Sequence, residues 1–191
     1  MSNPPTEYYS AERWQNWIDR LDETEIDPED ESSARLLLNL QDDTAIAVAK
    51  IVSAYEEGEL DQDGALGEIA EVRDIVLAEV DIADEETLML VDGVQTSLVC
   101  VFFAAEEYVA GGPAEEATVA EYVRAAANAE AEEDLDAALG YAAQAGTRII
   151  DGEALDMSIA EELEYGLVTE WVNGLDSLQS AMSDPEVVED D

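Results

Sequence analysis

The sequence predicts an all-α protein: a single-domain bundle of six or seven helices around a central apolar helix at about residues 84–110. Three observations predict it. Apolar residues make up 47% of the chain and recur at three- and four-residue spacings, the period of a half-buried helix. No stretch alternates cleanly between apolar and polar residues, and the strong helix formers Ala, Leu and Glu dominate. The prolines, Pro4, Pro5, Pro28, Pro113 and Pro185, interrupt none of the apolar runs. A length of 191 residues suits one domain with a real core. The expected organisation is an N-terminal tail over 1–9, a helical domain over 10–183 and an acidic C-terminal tail over 184–191.

Caps and apolar stripes place the helices. Ser10 opens a short helix with Trp14, Trp17, Ile18 and Leu21 on one side. Asp27-Pro28 opens a long second helix that turns Leu37, Leu40, Val48, Ile51, Val52 and Tyr55 inward and stops near Gly58. A third runs from about Gln62 to Val80, with Leu66, Ile69, Val72 and Val76 as its stripe. Thr118 and Glu121 have capping-box spacing at the start of an Ala-rich fifth helix. A sixth carries Leu135, Leu139 and Ile149. Ser158 with Glu161 is read as a second capping box, opening a last helix with Leu163, Leu167, Trp171, Leu175, Leu178 and Met182. Two helix pairs, around Tyr55–Asp61 and Asp134–Tyr141, faintly suggest tetratricopeptide-type hairpins. Such repeats need about three copies, so generic antiparallel pairs are the preferred reading.

The fourth helix differs from the rest. Leu88 to Ala105 holds one charge, Asp92, and is long enough for a membrane span. Its first half also holds Gly93, Gln95, Thr96 and Ser97, and acidic segments without basic residues flank it. The expectation is a central helix packed on several sides, with no membrane partner.

Charge bounds the environment. Forty-nine Asp and Glu stand against seven Lys and Arg, with no histidine, for a net charge of -42. The acids spread over nearly every segment, which argues for solubility in brine over one basic partner. At molar salt the Debye length is about 3 Å, so their mutual repulsion is largely screened. A halophilic protein of the cytoplasm is the expectation. The first ten residues carry Pro4, Pro5 and Glu7 and no basic stretch, which reads as no secretory signal. Seven cations among forty-nine anions make a phosphate-tracking groove for nucleic acid unexpected.

Several chemistries are absent. Without histidine there is no Ser-His or Cys-His activation and no imidazole metal ligand. The single Cys100 allows neither an internal disulfide nor the usual zinc ligand sets, and its apolar run makes it a small core residue. Gly111-Gly112-Pro113 lacks the lysine and spacing of a phosphate loop. Glu59 to Gly64 resembles part of a calcium loop, but the twelfth position would be Ala70 where a bidentate Glu belongs. An acidic turn opening a helix explains it better. No catalytic residue, metal ligand or cofactor is therefore assigned.

Two sets of residues stand out instead. Scarce cations are expected to have specific partners, and Lys50 or Arg73 is expected to pair with Asp92 in a buried or half-buried cluster that includes Gln95 and Thr96. Asp92, Gln95 and Thr96 share a helix side by their i, i+3 and i+4 spacing. The second set, Trp14, Trp17, Ile18 and Leu21, is a candidate interaction surface that docks either on its own bundle or on a partner.

The segments ERWQNWIDRL, RLLLNLQDDTAIAVAKIVSAY and LVDGVQTSLVCVFFAAEEYVAGG resemble an uncharacterised family of halophilic archaea known by a domain-of-unknown-function label. The resemblance covers most of the chain and implies a haloarchaeal cytosol, but no activity and no functional residues. The functional expectation is a non-enzymatic adaptor or regulator that binds an unidentified protein partner or itself. The alternatives are a carboxylate-based divalent-metal enzyme on a helical bundle and an acidic decoy for a basic partner.

Overall fold

The computed structural model describes residues 8–24, 26–27 and 29–183. These form seven α-helices, one short 3₁₀ helix and no strand: α1 (Ala11–Glu23), α2 (Glu31–Glu56), α3 (Gln62–Val76), α4 (Glu85–Gly111), α5 (Val119–Ala131), α6 (Leu135–Ile150) and α7 (Leu167–Ser183). The 3₁₀ helix, Met157–Glu162, lies between α6 and α7. Pro28 and the proposed tail residues 1–7 and 184–191 lie outside the described residues. Tyr8 and Tyr9 do not behave as tail: Tyr9 is buried and Tyr8 packs on the same core.

The acid-rich composition serves the helix starts. Ser10, Asp30, Asp61, Asp84, Thr118 and Asp134 precede α1 to α6, and each side chain accepts a backbone N–H of the first turn. Such a cap satisfies one of the orphan donors of a helix N-terminus, and a carboxylate there also meets the positive end of the helix dipole. Thr118 and Glu121 form the expected capping box. Asp61 accepts the Gly64 N–H at 2.7 Å, so the calcium-like segment is the cap of α3. At the far end of α4, Gly112 takes φ +81°, and its N–H returns to the Tyr108 carbonyl at 2.8 Å. Glycine adopts that left-handed φ readily, and Pro113 then prevents continuation.

Three boundaries differ from the sequence expectation. The cap of α2 is Asp30, one turn later than Asp27-Pro28. The third helix stops at Val76, because Leu77 already leaves helical geometry. Ser158 and Glu161 do not open the last helix. Asp156 caps only a 3₁₀ segment there, and Leu163 returns to extended backbone. The last helix starts at Leu167.

One contiguous core joins all seven helices, from Trp14 on α1 through Leu40, Ile69, Leu98, Val123 and Ile149 to Leu178 on α7. The predicted central helix is central: α4 packs against α2, α3, α6 and α7. Phe102, Leu98, Val101, Ala104 and Ala105 on it are fully buried, as is Cys100. By length and composition α4 would also cross a membrane, and 50% of its most apolar window is buried against the rest of the protein. Two glycines let its neighbours come close. A Cβ on Gly146 of α6 would meet the Ala104 side chain, and one on Gly174 of α7 would meet the Ser97 carbonyl. The helix–helix contacts are therefore made backbone to backbone at these points, which leaves little room for repacking.

Candidate functional site

The expected cluster around Asp92 does not form. Asp92 and Lys50 are both exposed. Arg73 pairs with Glu106 of α4 and lies 3.9 Å from Asp74. Glu106 is fourteen residues beyond Asp92, about 21 Å along the helix axis. The axial register of α3 against α4 thus decides the partner, and it favours the far end. Gln95 turns to α3 and donates to the Val76 and Ala78 carbonyls at 2.8 and 3.0 Å. It thereby satisfies orphan carbonyls where α3 ends. Thr96 donates to the Asp92 backbone carbonyl at 2.8 Å, a local bond within α4. The buried ion pair with Asp92, and the cluster around it, are overturned.

The expectation that scarce cations have partners holds for four arginines. Besides Arg73 with Glu106, Arg13 pairs with Asp43, Arg124 with Glu162 and Arg148 with Glu153. Burial lifts the Glu106 carboxyl above its ordinary range, and Arg73 only partly offsets this. Arg148 sits in a denser arrangement. Its Nε donates to Glu153 at 2.9 Å and its Nη1 to the Ala114 carbonyl at 2.6 Å. The other oxygen of Glu153 accepts the Val119 N–H at the start of α5. One ion pair therefore ties the α4–α5 loop, the start of α5 and the end of α6.

The aromatic set on α1 is divided by the fold. Trp14, Ile18 and Leu21 are buried against the bundle. These three are not a surface for a partner; α1 docks on its own protein. Trp17 stays half-buried and faces the groove on the other side. Its Nε1 donates to Asp43 Oδ2 at 3.0 Å, and Arg13 Nε donates to the same oxygen at 2.8 Å. Arg13 Nη2 meets Asp43 Oδ1. The Asp43 side chain is 1% exposed, so this carboxylate has three donors converging on it in a dry site. The Arg20 guanidinium lies over the Trp17 ring, 5.4 Å from its centre, and Arg13 over the Tyr9 ring at 5.9 Å. Arg13, Asn16, Trp17 and Arg20 line an open groove of about 360 Å³. The sequence held a signal for this site. Asp43 interrupts the inward-facing run of α2, and a carboxylate at a core position demands a cation.

Outside α1, the chemistry is sparse. Among the described residues no three side chains of His, Cys, Asp or Glu converge as a metal set. Burial pushes the Cys100 thiol far up, so it is not a nucleophile at neutral pH. The outward face of α4 is different. Met89 (72% exposed) and Phe103 (38%) continue through half-buried Val99 and Thr96. With Asp92 these residues follow helical spacing along one stripe.

The matched family model spans residues 7–191. The chain belongs to DUF2150, a family described as uncharacterized proteins conserved in archaea. No curated protein and no solved structure matches it. Membership in this archaeal family agrees with the resemblance read from the segments of α1, α2 and α4. The family carries no assigned activity that could select among the features above.

Proposed function

We propose that this archaeal protein is a non-enzymatic, halophilic protein of the cytoplasm that acts by binding another protein, as an adaptor or regulator. The observation that carries the reading is the outward stripe of α4. Met89, Thr96, Val99 and Phe103 present apolar surface on the longest helix of the fold, with Asp92 the one charge among them. On a chain with 49 acidic residues, a face so poor in carboxylate is the surface on which water is most easily displaced. A helix face of this kind suits a partner helix or a second copy.

Nothing specific favours the metal-enzyme alternative, which asks for at least three converging carboxylates. The decoy reading asks for acids gathered on one face, whereas exposed acids here lie on α1, α2, α3, α4, α5 and α6 alike.

Light scattering and affinity capture in molar KCl test the proposal, using the wild type and the double variant Met89→Glu/Phe103→Glu. The expected result is a defined assembly, with itself or with a partner, that the double variant loses while keeping its helical content. A monomer that retains nothing specific, or an assembly indifferent to both substitutions, overturns it.

A further inference from the structure

We propose that the groove over α1 is a docking site for a carboxylate-bearing, extended segment of a partner protein, gripped by Arg13 and Arg20 on either side of Trp17. The inference rests on the binding role proposed above but uses a face other than the α4 stripe.

The groove concentrates what the rest of the molecule lacks. Of seven cations in the chain, two stand in one helix of thirteen residues and line one concavity with Asn16 and Trp17. Their positions, 13, 16, 17 and 20, follow i, i+3, i+4, i+7 spacing. They therefore form one continuous face of α1, roughly opposite the Trp14, Ile18 and Leu21 side that enters the core. Arg73, Arg124 and Arg148 are each matched to a glutamate. Arg20 makes no ion pair with any described residue; it is stacked on the Trp17 indole instead. Stacking leaves the edge of a guanidinium, with its fork of N–H donors, directed away from the ring and able to receive a carboxylate side-on.

The face is also held in place before anything binds. Asp43 fixes the Arg13 guanidinium through two bonds and the Trp17 ring through its N–H. The Trp17 ring in turn supports Arg20. A ligand thus meets groups whose rotamers are already restricted, which lowers the ordering cost of association.

Charge and spacing select the ligand. Cationic groups on a background of -42 attract anions only at contact range. A polyphosphate chain would meet repulsion along the rest of its length, whereas a short peptide segment would not. In molar salt the Debye length of about 3 Å removes long-range repulsion between two acidic proteins, yet bidentate hydrogen bonds survive because they are contacts. Seven residues of helix separate Arg13 from Arg20 by about 10.5 Å. Two side chains three positions apart on an extended chain are about 10 Å apart. The preferred segment therefore carries Asp or Glu at positions i and i+3, with an apolar or planar residue between them facing Trp17.

Titration of the full chain in molar KCl with a synthetic peptide carrying two aspartates three positions apart, followed by tryptophan fluorescence and calorimetry, tests this. Saturable binding is expected, with none for the peptide carrying asparagines instead. Arg20→Gln is expected to weaken binding at least about tenfold. Arg20→Lys should do nearly the same, because an ammonium keeps the charge but loses the planar fork. Arg124→Gln removes the same charge from α5 and should leave binding unchanged. Far-UV circular dichroism verifies that each variant is folded. Absence of saturable binding, equal binding of the asparagine peptide, or equal weakening by Arg20→Gln and Arg124→Gln each overturns the proposal. The Met89→Glu/Phe103→Glu variant should still bind the peptide, so failure at α4 and failure at α1 are read separately.

Discussion

The carboxylate of Glu130 on α5 accepts the backbone N–H of Leu167, the first residue of α7, at 2.6 Å. Alone among the seven helices, α7 has its N-terminus met by an acid from another helix, thirty-seven residues earlier. Gly166 makes the approach possible: a Cβ there would stand 2.7 and 2.8 Å from the two Glu130 oxygens. Gly166→Ala should therefore displace Glu130 and cost about 1–2 kcal/mol, the usual loss of an N-cap. Glu130→Ala should cost a similar amount. Glu130→Gln keeps an acceptor and loses only the charge–dipole part, about 0.3–1 kcal/mol. Urea unfolding of the three variants in molar KCl checks the order; equal losses for Glu130→Gln and Glu130→Ala would refute a cap.

A harder steric limit lies at Gly174. Its missing side chain is what lets α7 rest on the Ser97 carbonyl of α4, and that carbonyl belongs to a backbone held on several sides. Gly174→Ala forces the helices apart along their whole contact, because a backbone atom cannot rotate away. A loss of about 3 kcal/mol is expected, the upper end of ordinary overpacking. Gly67, with nothing within 4 Å of a built Cβ, is the control. Gly67→Ala should raise stability by about 0.5–1 kcal/mol through better helix propensity. Denaturant midpoints in the same buffer compare the two.

These cases mark where the sequence was legible. Caps and stripes are local, so Ser10, Asp61 and the Thr118–Glu121 box could be placed, and the carboxylate-poor run around Leu98 and Phe102 had to be central. The start of α7 could not be read, because its cap lies on α5 and Ser158–Glu161 has the right spacing by chance. Arg73 was a cation awaiting an acid, but the choice between Asp92 and Glu106 depends on how far α3 slides along α4. Neither segment encodes that slide locally. Arg13 with Asp43 is the same problem in a more readable form, since a carboxylate inside an inward-facing run needs a partner from somewhere.

Glu153 gives the fold a pH-dependent element. Burial pushes its carboxyl up, but the Val119 N–H and the Arg148 guanidinium outweigh burial and hold it below its ordinary value. A carboxyl depressed on folding stabilises above its unfolded pKa, about 4.3, and the contribution disappears as pH falls through the folded value. Glu153→Gln removes the charge and should cost about 2 kcal/mol near neutral pH, as expected for a hydrogen-bonded charge. The gap between wild type and variant should close as pH falls below about 4. Glu106, Glu107 and Asp42, which burial raises, act with the opposite sign. Their protonation on acidification relieves a cost, and both proteins share that change. Thermal midpoints of the pair across pH isolate Glu153; a gap independent of pH overturns its role.

The net charge itself sets the last expectation. Four arginines neutralise particular carboxylates, yet most of the 49 acids face water with no cation beside them. At 0.01 M salt the Debye length is about 30 Å, so charges on opposite sides of the bundle repel one another. At 1 M it is about 3 Å, shorter than the spacing of most surface carboxylates, and only the nearest pairs remain coupled. The unfolded chain spreads the same charges over a larger volume, so weaker screening favours it. Helicity should therefore be full in molar KCl and fall cooperatively as salt is withdrawn. NaCl should restore it as well as KCl, since screening is indifferent to the cation. Acidification to about pH 4.5, near the ordinary range of Asp and Glu, should partly replace salt by lowering the charge. Circular dichroism during dialysis follows all three conditions. A cooperative fold that persists in dilute buffer at neutral pH would show that the acidic surface is tolerated without brine, and the halophilic reading would fall with it.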